Sequence, residues 1–282
     1  MNCSWKTNSH LLRRFLSVPP CPGCPWSSFL LFGIGIEGGI IFILYKLWFY
    51  ESMGGKGGSA LPPNYTDSEN DVIKNFILES PENFRYYGSI ERINDSLEKF
   101  LSSIGPNTSR NIKKMAKLVV SIIKKVLKGY NMSHFWIAIR VTEPNNGFIT
   151  PRWHKDGNYF ASKSITAKFI TVLRGPGTLL IRLNKKVNDI YNKISEKEIN
   201  EIKPTSTFEE EKKIARKYRL LLAKKLADEK IIQTKKSQGL VFLAGSPMDN
   251  AALQSEPNMD QYRMFISIVP GSKKNIEELK KK

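Results

Sequence analysis

The segment Pro151-Arg152-Trp153-His154-Lys155-Asp156-Gly157 carries the sharpest chemical signal in the chain. His154 and Asp156 form an H-x-D pair. In an extended strand, residues i and i+2 project from one face, so imidazole and carboxylate can converge on one metal ion. An isolated pair of this kind is also often no more than a hydrogen bond. The chain has only three histidines, His10, His134 and His154, and three cysteines, Cys3, Cys21 and Cys24. With no thiol beyond Cys24, a disulfide-stapled domain is excluded. The same counts exclude a structural zinc site of several His and Cys residues over 25–282.

Further residues of interest lie far downstream. Arg263 stands on a predicted strand, Tyr262–Val269, that also carries Ser267. Gln254 precedes it in Leu253-Gln254-Ser255-Glu256-Pro257. This layout resembles the iron(II)- and 2-oxoglutarate-dependent oxygenases. In that superfamily an H-x-D motif opens the barrel, a distal histidine comes late, and an arginine soon after it grips the co-substrate carboxylate. The resemblance runs over roughly Phe135–Gly271. It includes the stretch AKFITVLRGPGT at 167–178, a long strand into a tight turn.

The resemblance implies iron(II) held by His154, Asp156 and Gln254, with Gln254 where the family has its distal histidine. It implies 2-oxoglutarate held by Arg263 with help from Ser267, and O₂ as the other co-substrate. The simplest activity is hydroxylation of an unidentified substrate. A face of two histidines and one carboxylate leaves metal positions open for such ligands. An arginine offers a planar fork to a carboxylate, which lysine does not reproduce. A glutamine oxygen is a neutral, weaker donor than imidazole. Three outcomes follow: Gln254 ligates in a working enzyme; His154 and Asp156 hold iron with water; or the domain is a membrane-anchored, non-catalytic binding protein. Glu256 could replace Gln254 only by a two-residue shift, and Asp249 ranks lower. Trp153 and Tyr159 either line a substrate mouth or pack in the core. Lys168 and Arg174 read as solvated surface ahead of contacts to an anionic co-substrate, and His134 as a strand-edge residue.

Lys and Arg number 44 against 26 Asp and Glu, a formal net charge of +18. Such an excess favours anionic partners. It is spread along the chain, so solvated Lys-rich helix faces explain it better than a dedicated nucleic-acid surface.

The elements that must position the site come next. Residues 1–28 form a basic segment. Residues 29–50, FLLFGIGIEGGIIFILYKLWFY, carry only Glu37 and Lys46 as charges. As a helix they extend about 33 Å, enough for a bilayer core of about 30 Å. They read as a single membrane span; a cleaved signal or transit peptide and a buried helix are the alternatives. Flanking Lys and Arg favour a lumenal or extracytoplasmic C-terminal domain. The Cys21-Pro-Gly-Cys24 unit reads as a turn or a palmitoylation site. Residues 51–70 read as a linker and 274–282 as a basic tail.

The domain between, 71–273, is expected to be α+β. Helices are predicted over Asp71–Glu79, Glu82–Ser103 and Asn107–Tyr130. In the last, Ile112, Met115, Val119, Ile122 and Val126 repeat at helical spacing. From Ser133 onward, short β-branched and aromatic runs separated by Gly, Pro and Asn turns read as antiparallel strands. Residues 184–230 interrupt them as a helical insertion, outside the strands or over their mouth. The fold expected is a double-stranded β-helix, of the jelly-roll or cupin kind, with supporting N-terminal helices.

Overall fold

The computed structural model describes residues 59–61, 65–157, 159–160, 166–236, 238–244 and 252–281. The proposed membrane span, the cysteine pair, His10 and Asp249 lie outside the described residues. Among the described residues, no helix is long and apolar enough to cross a membrane.

Three helices form a layer on one side. α1 is Asp67–Asn75, α2 is Asn94–Ser103 and α3 is Ser109–Tyr130. Thr66 and Glu69 close a capping box at the start of α1, which satisfies donors that a first turn leaves orphaned. Thr108 caps α3 by accepting from the Asn111 N–H. Asn131, at φ 50°, ends it in the left-handed region, which Asn tolerates better than most residues. The predicted stripe of α3 is buried: Met115, Val119, Ile122 and Val126 pack inward. Each such side chain contributes about 1.5–3 kcal/mol by leaving water.

The predicted helix Glu82–Ser103 is half wrong. Glu82–Ser89 is a strand, β2, followed by a short 3₁₀ turn, Ile90–Arg92, and only then by α2. β2 is a sheet edge, paired along its whole length with β3, His134–Thr142. Its own pattern is weak, because only Phe84 is buried along it. The fold also begins ahead of Asp71. α1 starts at Asp67, and inside the expected linker a short β1, Ser59–Leu61, pairs with the later segment Gly239–Val241. At the other end, the basic tail forms a helix, α6, Lys273–Lys280, whose Ile276 is buried.

The remaining strands are β4 (Thr166–Arg174), β5 (Leu179–Ile181), β6 (Ile231–Gln233), β7 (Gly239–Ala244), β8 (Leu253–Ser255) and β9 (Arg263–Gly271). They form two antiparallel sheets, a large one ordered β1-β7-β4-β9-β3-β2 and a small one ordered β6-β5-β8. Strand periodicity sorts the large sheet's side chains. Phe135, Ile137, Ile139 and Val141 on β3 join Met264, Ile266 and Ile268 on β9 against the helices. The opposite face carries Arg140, Lys168, Arg263, Phe265 and Ser267. There Ile170, Val172, Leu240 and Phe265 meet Ala252 and Leu180 from the side of the small sheet, and the two sheets close on each other.

The insertion supplies α4 (Lys185–Glu201) and α5 (Phe208–Lys225). It lies outside the strands, one of the two placements expected. Val187, Tyr191, Ile194, Tyr218 and Leu222 pack with Ile181, Leu253 and Trp153 on the outer face of the small sheet. Trp153 is thus a core residue.

Candidate functional site

Two segments far apart in sequence are zipped together at the site. The His154 N–H donates to the Gln254 carbonyl at 2.9 Å, and the Gln254 N–H donates to the His154 carbonyl at 3.0 Å. The Arg152 N–H adds a bond to Ser255 Oγ at 2.8 Å. On the far side of β8, Gln254 is opposite Leu180. Leu180, Gln254 and His154 therefore form one row across the small sheet, on the face turned to the large one. Residues directly opposite in antiparallel strands share a face, so His154 and Gln254 project together.

Asp156 completes the group. Its Oδ2 accepts from Gln254 Nε2 at 2.8 Å and from Lys168 Nζ at 2.8 Å. The Tyr159 hydroxyl also hydrogen-bonds this carboxylate, and burial beside it pushes the phenol well up. The structure thus brings His154, Asp156 and Gln254 together. It adds a cation that the sequence reading assigned to the surface: Lys168 is 5% exposed. Burial pushes its ammonium down from the usual lysine value, opposed by the Asp156 charge. Arg174 is half-buried rather than freely solvated, and its guanidinium caps α1 at the carbonyls of Ile73 and Lys74.

His154 Nδ1 lies 2.9 Å from the Arg152 carbonyl. That contact selects the tautomer with the proton on Nδ1 and leaves Nε2 with its lone pair. Histidines that ligate metals commonly have this support. The other two positions fit a metal poorly. Asp156 is committed to an internal ammonium. Gln254 turns its NH₂, not its oxygen, to the carboxylate, as two oxygens would repel there. Among the described residues no three His, Cys, Asp or Glu side chains are grouped to hold a metal. As arranged, the set does not fit iron(II). His134 gives no help: it pairs with Gly271, at the end of β3 opposite to Thr142 and Arg263.

Arg263 occupies the inner wall and is 4% exposed. Its Nε donates to the Pro176 carbonyl and its Nη2 to Thr178 Oγ1, each at 3.0 Å. Burial pushes the guanidinium down to about 10. Arg263 and Arg140 both lie over the Phe265 ring, at 4.9 and 5.0 Å from its centroid, a favourable cation–π geometry. Ser267 shares the inward face but is not among the cleft's lining residues; its hydroxyl is buried with no hydrogen-bond partner among the described residues. Thr178, which no sequence signal singled out, is the hydroxyl that meets Arg263.

Glu256 lines the same cleft. Its Oε1 pairs with Arg152 at 2.8 Å, and its Oε2 is buried with no hydrogen-bond partner among the described residues. Burial pushes its carboxyl up, but positive charge beside it, that of Arg152 included, and a backbone hydrogen bond hold it below the usual value. About 320 Å³ of atom-free space, part of it open solvent at the mouth, lies between the lining residues. Arg140, Lys168 and Arg263 outnumber Asp156 and Glu256 around it, a balance that suits a small anion.

No family model matches the sequence, and no curated protein matches it. Among solved structures the chain is similar to SnoK, a non-heme alpha-ketoglutarate-dependent carbocyclase from nogalamycin biosynthesis. Identity is 11%, 83% of each chain is covered, and the TM-score is 0.36. It is similar to a Pseudomonas putida prolyl-4-hydroxylase at 8% identity, covering 79% of this chain and 97% of that one, with a TM-score of 0.35. A Trichoplax adhaerens prolyl hydroxylase in complex with a hypoxia inducible factor peptide gives 8% identity, 86% and 97% coverage, and a TM-score of 0.36. Likeness at this level does not determine chemistry, which has to come from the cleft's own residues.

Proposed function

We propose that the chain is an oxygenase of the iron(II)- and 2-oxoglutarate-dependent kind, built on a double-stranded β-helix and acting on an unidentified substrate. The observation that carries this reading is the zipper between His154 and Gln254, which brings Asp156 into the same group. Arg263 lines the same cleft. In this reading Arg263 and Thr178 bind and orient a carboxylate of the co-substrate. His154 is held in the tautomer that a metal ligand needs. The two facing sheets keep bulk water from the inner end. His154 and Asp156 would hold iron only with Asp156 released from Lys168, and a metal held there would supply the activation of O₂.

A second reading is favoured by one contact, the Lys168–Asp156 ion pair. In it the same cleft binds a small carboxylate without turnover. Anaerobic iron(II) titration with and without 2-oxoglutarate, followed by a succinate assay in air, separates the two. Iron-dependent succinate supports the oxygenase; 2-oxoglutarate binding with no iron uptake and no succinate supports the binding protein. A membrane tether at residues 29–50 belongs to either reading, and carbonate extraction of membranes tests it.

A further inference from the structure

We propose that the Lys168 ammonium is the resident cation of the His154–Asp156–Gln254 group, a built-in counterion that a divalent metal must displace from Asp156. The proposal rests on the oxygenase reading for the metal's place, but its geometry is independent of it. Lys168 comes from β4 of the large sheet, whereas Asp156 and Gln254 come from the side of the small one. The ion pair therefore spans the space between the sheets. Its side chains are only 6% and 15% exposed, so it is not a screened surface pair.

The neighbours hold this arrangement in place. The Tyr159 ring lies 5.5 Å from Lys168 Nζ, and its hydroxyl hydrogen-bonds Asp156. Gln254 Nε2 donates to the same Oδ2 as the lysine. The other cations of the cleft are engaged elsewhere: Arg263 with Pro176, Thr178 and Phe265, and Arg140 over Phe265. A metal bonded to Asp156 would sit at about 2.0–2.2 Å from its oxygen, against an ammonium at 2.8 Å from Oδ2. Two cations cannot both occupy that side of one buried carboxylate without strong repulsion. Removing the lysine charge is therefore expected to open the site to metal.

The test uses the full chain, stripped with chelator, and manganese(II) as the probe. Binding is measured by calorimetry or by loss of the free-ion paramagnetic resonance signal. Lys168→Met should bind manganese at least about tenfold tighter than wild type, the scale on which metal-site surroundings tune affinity. Adding Asp156→Asn should abolish that gain. Equal affinity in wild type and Lys168→Met, or no binding by either, overturns the proposal. A melting-temperature cycle on metal-free protein covers the case of poor folding, with the milder Lys168→Gln beside Asp156→Asn. Each single variant should lower the melting temperature, and the double should lose less than the sum. Strict additivity overturns the proposal. The oxygenase reading fails separately. A Lys168→Met protein that gains manganese but makes no succinate with iron upholds the counterion and removes the enzyme.

Discussion

Arg263 Nη2 donates to Thr178 Oγ1 over 3.0 Å, inside a cradle formed by the Gly175-Pro176-Gly177 turn. The cradle depends on both glycines. Gly175 has φ +83°, and a Cβ there would lie 2.7 Å from the Tyr262 carbonyl oxygen and 2.8 Å from Arg263 Cα. A Cβ on Gly177 would lie 1.8 Å from the Thr234 carbonyl oxygen. That carbonyl belongs to the residue whose hydroxyl accepts the Thr178 N–H. Gly177→Ala should therefore cost at least about 1–3 kcal/mol by overpacking and loosen Arg263. The denaturant midpoint and 2-oxoglutarate affinity should fall together; an unchanged midpoint contradicts the close approach.

Arg263→Lys keeps the charge and loses the fork. It should weaken 2-oxoglutarate binding by about tenfold or more, because a lysine cannot reproduce a bidentate contact. Manganese binding should be unaffected. Thr178→Val leaves Nη2 without its hydroxyl acceptor, at a cost of about 1–3 kcal/mol for a buried unsatisfied donor. Calorimetry with 2-oxoglutarate, alongside thermal melts, checks both.

Gln254→His replaces an amide that donates to Asp156 by an imidazole in the same row as His154. It should tighten iron(II) binding by about tenfold, a typical metal-site effect. Gln254→Ala should do no such thing. If the two variants bind iron alike under anaerobic titration, position 254 does not face the metal.

Ile123, fully buried on α3, should cost about 2–5 kcal/mol on truncation to Ala through lost burial and a cavity. Lys117, exposed on the same helix, should change stability by no more than about 0.5 kcal/mol. Urea denaturation of the two variants decides whether α3 is a core helix with a solvated basic face.

Deleting residues 184–230 should strip the cover from Trp153, Ile181 and Leu253, which pack against α4 and α5. Loss of the cooperative melt is expected, not merely a change in ligand range. A deletion variant with a wild-type melt would mean that the insertion is an optional lid.

Local periodicity made α3 readable from the sequence, because its apolar residues recur at the spacing of one helical face whatever lies against them. The strand bearing Arg263 was readable for a similar reason, and the H-x-D spacing pointed to His154 and Asp156, which line one cleft. Glu82–Ser89 was not, since its strand state is supplied by β3 across an edge pairing rather than by its own pattern. β4 is buried on both faces, so Lys168 stood in no alternation that could mark it as interior. Its role follows from a carboxylate that arrives from the opposite sheet. The resemblance implied Gln254 as a metal ligand, but spacing could not tell which end of its amide turns inward. That orientation is decided by Asp156, 98 residues away. Spacing along a chain determines which residues share a face. Only packing between sheets determines which charges meet, and here it set an ammonium against the carboxylate that the H-x-D pattern reserved for a metal.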